Sequence, residues 1–449
     1  FVRYLRTQGV LRQIGVKMAR YPLRCSIIVL AVSLLIAFSL QSANALVPAS
    51  KTFKVVNGGG FSRYVAEYNS NYRVLPLSAA AFRLCFYNTT PNAFTLAIGL
   101  GSFSYDLGIK WVWDANRGRP VKENAVLSFG QDGNLVLSDS DGSIAWQSST
   151  ANKGVADISL QPNGNLVLVD DKGKTVWQSF VLPRDTLVPG QNLTYKGPKT
   201  LISRVSEKDG SEGPYSFQLE QAHWSLFYTV KGKPLRYYKS EEFDDKGFIA
   251  NFNFRVDESN EVFFDYDMIG SPASGTRIFV RTKYSSPYSI FRMGWDGNVR
   301  IYTFKDIKGD PWRTEYIQFD RYIGSDECNL PRRCGSLGVC LENQCVACPR
   351  PEGLLGWSKS CAPPPTAPCS GGRASSKYYE IVGVDHFLSA YNDGLRPVTP
   401  ENCRSRCSKD CGCFGYFYNK NSSACYLAPL LGTLLAVDDT NHVGYIKTA

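Results

Sequence analysis

A chain of 449 residues with 43% hydrophobic content is long enough to bury several cores, which argues for two to four domains and against a disordered chain. The formal charge of +10 does not describe a nucleic-acid binder. Residues 1–45 hold six basic residues and no acidic one, which leaves 44 basic against 40 acidic elsewhere and no dense Lys/Arg stripe. Aromatic residues at 13%, with 39 Gly and 24 Pro, favour short strands and turns over helices.

The first element is a processing segment, expected over 1–45. Arg20 and Arg24 precede a 16-residue apolar run, CSIIVLAVSLLIAFSL (25–40), and Ala43 and Ala45 then form a small-x-small pattern. The run is shorter than the roughly 20 residues a membrane span needs, so cleavage after Ala45 is expected, with Met18 as a candidate start. No second apolar span follows, so the mature protein is expected to be soluble, exported and free of the membrane. Three sequons fit export: Asn88-Thr-Thr, Asn192-Leu-Thr and Asn421-Ser-Ser.

Next comes a phrase written twice. SFGQDGNLVLSDSDGSIAWQSS (128–149) returns as SLQPNGNLVLVDDKGKTVWQSF (159–180), 31 residues on. Short apolar runs broken by Gly, Asn and Asp are an all-β signal. Asp132-Gly133 and Asn163-Gly164 are expected as two-residue hairpin turns with positive φ at both central positions. Trp113, Trp146 and Trp177 recur at spacings of 33 and 31. That regularity predicts three similar β units whose indoles fill a shared axis rather than stacking on sugars.

On the motifs W-x-A-N-R (113–117), D-G-N-L-V-L (132–137) and W-Q-S-F (177–180), residues 46–188 resemble the plant bulb-type lectin domain. The resemblance implies a β-prism of three four-stranded sheets. Residues 189–325 are also strand-rich and lack Cys, and WDGNVRIYTF (295–304) repeats the D-G-N turn. They are expected to form a second, diverged lectin-like unit held by packing. Residues 326–362 resemble an EGF-like module of S-locus glycoproteins through C-x5-C-x5-C-x4-C-x2-C-x12-C, with CGSLGVC and a later Gly-Trp. After a stiff proline linker, APPPTAP (362–368), residues 369–449 resemble a PAN/apple module through CRSRCSKDCGCFGYFY. The expected fold class is therefore all-β, a tandem β-prism followed by small disulfide-rich modules. The order of modules is similar to S-domain receptor ectodomains, and more so to epidermis-specific secreted glycoproteins.

Twelve Cys crowd into 328–425, which in an exported chain means disulfides rather than zinc or redox sites at CVAC (345–348) and CGC (411–413). Spacing alone leaves the connectivity open. The module resemblance implies Cys328–Cys340, Cys334–Cys345, Cys348–Cys361, Cys403–Cys425, Cys407–Cys413 and Cys369–Cys411. Cys85 is left over as a buried free thiol.

The resemblance also implies a sugar pocket of the form Q-x-D-x-N-x-V-x-Y, whose alternate residues share one face of a strand. Around Asn134, Asp132 and Val136 match, while Gly130 and Ser138 replace Gln and Tyr. Around Asn165, Gln161 and Val167 match, while Asn163 and Val169 replace Asp and Tyr. Around Asn298, Asp296 and Tyr302 match, while Gly294 and Arg300 replace Gln and Val. A millimolar sugar site is worth about −4 kcal/mol, and each lost hydrogen bond costs about 1 kcal/mol. Two losses weaken binding ~30-fold, so these sites are expected to be degenerate and dependent on avidity. The repeated phrase then reads as hairpin and core first.

Catalysis finds little footing. Only His223, His386 and His442 are present, and no G-x-S-x-G, H-E-x-x-H, P-loop or cofactor motif occurs. EEFDDKG (241–247) reads as a solvated loop rather than a carboxylate dyad. The expected function is a secreted, non-enzymatic, lectin-like glycoprotein of the cell wall or apoplast, associating with wall glycans or glycoproteins of mannose type. The alternative is a soluble receptor-like decoy that binds a protein through the EGF-like and PAN end. A glycan hydrolase is the more distant rival.

Overall fold

A computed structural model describes residues 46–241, 247–270, 276–281, 286–305, 312–321, 325–365 and 377–448. The expected leader, most of EEFDDKG and Cys369 lie outside these residues.

Three antiparallel sheets build the first body. One orders Asn71–Ala79, Phe82–Thr90, Ala93–Gly101 and Ile109–Asp114. The second orders Phe53–Val56, Val126–Phe129, Leu135–Ser138 and Ile144–Gln147. The third has three strands, Asp157–Leu160, Leu166–Val169 and Thr175–Gln178. Alternation drives the packing, because successive side chains point to opposite faces. Leu135 and Leu137 of one repeat, and Leu166 and Leu168 of the other, are fully buried in one cluster with Phe82, Leu84, Leu96 and Leu127.

The three indoles meet at the axis. Ring centroids are 5.9 Å apart for Trp113–Trp146, 6.1 Å for Trp113–Trp177 and 5.8 Å for Trp146–Trp177. All three pairs are edge-to-face, the arrangement that sets the positive rim of one ring against the negative face of the next. The 31-residue repeat thus delivers one ring per sheet to a common centre.

The turns differ from the expectation of two-residue loops. Only Gly133 and Gly164 take positive φ, +77° and +88°, while Asp132 and Asn163 do not. Gly133 N donates to Gly130 O at 3.0 Å, and Gly130 N donates to Asn134 O at 3.2 Å. The loop is three residues long, a type I turn followed by a left-handed glycine. Asp132 Oδ1 and Asn163 Oδ1 accept from the backbone N–H two residues on, both at 3.1 Å, which stabilises the non-glycine turn positions at ordinary φ. Glycine is required at 164 for a second reason: a Cβ there would stand 2.5 Å from the Phe82 ring.

The second body repeats the plan with phenylalanine in place of most of the indoles. One sheet holds Thr200–Arg204, Glu212–Leu219, Trp224–Val230 and Lys233–Lys239. Another joins Asn192–Thr194 to Phe248–Val256, Val262–Ile269 and Thr276–Arg281. The last joins Thr186–Leu187 to Ser289–Met293, Val299–Thr303 and Arg313–Ile317. Two sheets therefore take their first strand from the segment just after the first body. A stack of Phe217, Trp224, Phe252, Phe264 and Phe291 fills the centre.

Buried charges join the bodies. Arg117, from the W-x-A-N-R motif, pairs with Asp114 at 2.7 Å and Asp185 at 2.9 Å, while Glu67 binds Arg292 at 2.6 Å and Lys110 at 2.9 Å. Burial pushes the Glu67 and Asp185 carboxyls up. Arg292 and Lys110 at Glu67, and Arg117 and Arg292 at Asp185, outweigh it and hold both carboxyls below their ordinary values.

Cysteine-rich residues complete the unit Leu46–Ala449. The described bridges are Cys328–Cys340, Cys334–Cys345, Cys348–Cys361, Cys403–Cys425 and Cys407–Cys413, with Cα separations of 5.3–5.9 Å. The expected Cys369–Cys411 pair lies outside the described residues. Leu337–Leu341 of the first cysteine cluster runs parallel to Gly432–Ala436 of the second, so the two share one five-stranded sheet. A helix, Pro400–Lys409, is capped by Thr399, whose hydroxyl accepts from Asn402 N, and it carries Cys403 and Cys407 inward. Cys85 is a buried free thiol, and burial raises its pKa far above the ordinary range, which leaves it inert.

Candidate saccharide sites

The expected sugar residues fall on two different sheets and are put to structural use. In the first repeat Asn134 is buried. Its Nδ2 donates to Gln147 Oε1 at 2.9 Å, and its Oδ1 accepts from Ser148 Oγ at 3.0 Å and Thr150 N at 3.1 Å. Asn165 repeats this with Gln178 at 2.7 Å, Ser179 at 3.2 Å and Phe180 N at 3.3 Å. The GNL and WQS phrases are therefore two halves of one clasp. Asparagine clamps the next strand by its Gln-Ser pair, beside the tryptophan that enters the core. Asp132 and Asn163 stand exposed at the turns, Val136 and Gln161 are half-buried, and Val167 is only 2% exposed. Most of the two asparagines' hydrogen-bonding capacity is already spent within the fold.

The third copy differs. Asn298 is again clamped, donating to Phe319 O at 2.7 Å and accepting from Phe319 N at 3.0 Å. Its turn closes in the same way, with Gly297 at φ +88° and Gly297 N bonded to Gly294 O at 3.0 Å. Trp295, however, remains 42% exposed. Beside it Arg300 forks onto Asp296 through two nitrogens, at 2.9 and 2.5 Å. A cavity of about 630 Å³ opens on one side, lined by Trp295, Asp296, Arg300, Tyr228 and Arg332. Another of about 460 Å³ opens on the other side, lined by Trp295, Asp296, Arg300, Tyr302 and Lys110. Both volumes fall in the range of small-ligand sites. An indole beside a charged pair presents an apolar face and hydrogen-bonding edges, the combination that pyranose rings require.

Sequence pattern located this hairpin but not its walls. Tyr228, Arg332 and Lys110 come from distant segments, and their approach leaves no local signal.

Two other clusters among the described residues are spent on structure. Ser225 Oγ donates to Glu220 at 2.5 Å and His223 Nε2 meets the same carboxylate at 2.6 Å, so both address Glu220 rather than each other. Ser225 is fully buried, and no nucleophile–base bond exists there. Cys334, Cys340 and Cys345 lie close enough to hold a metal, but each is spent in a disulfide. No helix among the described residues is long and apolar enough to cross a membrane.

A tandem of three-sheet prisms with clasped hairpins at Asn134, Asn165 and Asn298 defines a bulb-type lectin architecture, and residues 110–206 match the family described as D-mannose binding lectin. Relatives narrow this further. EP1-like glycoprotein 4 of Arabidopsis thaliana is 42% identical over 93% of this chain and 96% of its own length. The epidermis-specific secreted glycoprotein EP1 of Daucus carota is 42% identical over 74% of this chain and 91% of its own. The putative receptor protein kinase ZmPK1 of Zea mays is 27% identical over 85% of this chain but 46% of its own length. The chain belongs to the EP1-like family of secreted glycoproteins.

Proposed function

We propose that this protein is a non-enzymatic glycoprotein of the plant cell wall or apoplast that associates with wall carbohydrate through the Trp295 hairpin of its second body. One observation carries the reading: an exposed indole stands between two ligand-sized cavities, beside the Asp296–Arg300 pair, at the turn where this architecture places its binding strand. The hairpins holding Asp132, Asn134 and Val136, and Gln161, Asn163, Asn165 and Val167, are the weaker seats, because neither turn carries an exposed indole like Trp295. The domain limits we adopt are 46–188, 189–325, 326–362 and 369–449, with Thr186–Leu187 lent to a sheet of the second body, and Asn88, Asn192 and Asn421 are the proposed glycan carriers. Family membership supports export and the lectin-like class, since the relatives are named as glycoproteins. A wall-glycan array probed with the secreted chain and with Trp295→Ala tests this. Signal on neutral or mixed wall polysaccharides that disappears in the variant supports it. An array silent even for a tetramerised chain rejects it.

A further inference from the structure

A separate cavity of about 540 Å³ lies on the first body, away from every Q-x-D-x-N-x-V-x-Y position. It opens where Asn71 and Asn88 face each other across two strands of the first sheet. Its floor is rigid. The Arg73 guanidinium bonds Glu123 through two nitrogens at 2.8 and 3.0 Å, Asn57 Oδ1 at 2.7 Å and Gly59 O at 3.1 Å. The same guanidinium lies 4.4 Å from the Phe61 ring centroid and 4.9 Å from that of Phe94. Phe61 is nevertheless 44% exposed, an aromatic held in place by an arginine with four of its five donors engaged yet still open to solvent.

The wall is rich in amides. Asn69, Asn71 and Asn92 line it, and Asn92 Oδ1 is taken by Glu123 N at 2.7 Å, which leaves its NH₂ as a donor. Asn88 also lines the cavity. It is only 6% exposed, and its Oδ1 is buried with no hydrogen-bond partner. A buried acceptor without a partner is costly, and a ligand hydroxyl or amide N–H would relieve it. An aromatic platform, several amides and one paired carboxylate form a neutral, hydroxyl-seeking surface of small-ligand size.

We propose that this cavity seats one pyranose ring of a neutral saccharide, with Phe61 against its apolar face and Asn88 Oδ1 accepting from a hydroxyl or acetamido N–H. The inference stands independently of the Trp295 hairpin, which shares no lining residue with it. Two sources supply that chemistry. Asn88 begins the sequon Asn88-Thr89-Thr90, so the ring is either an N-acetylglucosamine linked to Asn88 itself or a residue of an external glycan.

Glycopeptide mass spectrometry of the full secreted chain separates the sources by reporting whether Asn88 is modified. If it is, the attached glycan should resist peptide N-glycosidase on the native protein and become cleavable at least 10-fold faster in Phe61→Ala. Equal release from both proteins overturns the proposal. If Asn88 is unmodified, neutral oligosaccharides of mannose, galactose and N-acetylglucosamine, titrated by saturation-transfer NMR against Trp295→Ala, should bind. That binding should weaken at least 10-fold when Phe61→Ala or Asn92→Ala is added. No binding by any of them, or binding indifferent to both changes, overturns it. Asn92 sits at φ +56° and its Oδ1 accepts from Glu123 N, so binding is compared at a temperature where thermal melts show both variants fully folded.

Discussion

The two ends of this molecule stay folded by different means. Residues 46–321 carry one cysteine, a buried free thiol, and rely on stacked rings, alternating Leu and Val, and buried ion pairs. Residues 325–448 carry five described disulfides and two small cysteine-centred clusters, and their remaining apolar side chains, Leu337, Phe387, Phe417 and Leu434 among them, continue the core of the second body. Size explains the contrast. A threefold body of about 140 residues encloses a core that stabilises itself, whereas modules of 40–80 residues leave too much surface exposed and need cross-links. The proposed saccharide sites centre on the packing-held part, where rigid strands fix side chains, with Arg332 of the cysteine-rich part on one wall.

Reduction should break the contrast most severely. Each bridge contributes about 2–4 kcal/mol, so loss of five exceeds the stability of most domains. Limited proteolysis in dithiothreitol is expected to clear the region beyond residue 325 and leave a resistant fragment containing 46–185. A first body digested as fast as the cysteine-rich end would refute the division of labour.

The next largest effect falls on the axis. Trp113→Ala removes an indole that contacts both others and is expected to cost about 3–5 kcal/mol in urea unfolding, with loss of near-UV dichroism from the triad. The same change at exposed Trp295 should leave stability unchanged within about 0.5 kcal/mol.

Acid sharpens the comparison more gently. His386 is buried, with Nε2 bonded to Leu431 O at 3.0 Å and Nδ1 accepting from Leu388 N at 3.3 Å. Burial holds it neutral and pushes its pKa down to about 3, although the Leu431 carbonyl pulls the other way. Unfolded, the ring protonates near its ordinary 6.5, so this stability is complete above that pH and drains away as pH falls toward 3. From pH 6.5 to 5 the cysteine-rich end should lose about 2 kcal/mol, a slope absent from His386→Gln. Glu67 and Asp185, held below their ordinary 4.5 and 3.8, keep their stabilisation over that interval and release it only at lower pH. Equal pH slopes in the two proteins would refute the assignment.

Legibility in the sequence followed distance along the chain. The Trp spacing announced the triad, because each indole sits at the same place in a local hairpin. The Asn-to-Gln-Ser clasp is visible as a repeated phrase that reads as hairpin and core first, and the hydrogen bonds supply the partners that the phrase alone does not pair. Turn type was misjudged: Asp-Gly and Asn-Gly fit two loop lengths, and the carboxylate or amide bond to the backbone two residues on selects the longer. Pairing of Leu337–Leu341 with Gly432–Ala436, and the loan of Thr186–Leu187 to a strand at 289–293, left no trace, because neither depends on local pattern. The Phe61 cavity was equally silent, being assembled from a loop, two strands and a turn spread over residues 61–123.

The central proposal is that saccharide binding rests on the Trp295 hairpin of the second body rather than on the hairpins of the first. Calorimetric titration of the strongest array ligand into the unaltered chain, Trp295→Ala and Asn163→Ala tests it most directly. Truncating a central aromatic contact costs about 2 kcal/mol, so Trp295→Ala should bind about 30-fold more weakly while Asn163→Ala binds unchanged. Affinity lost in Asn163→Ala and kept in Trp295→Ala would contradict the account.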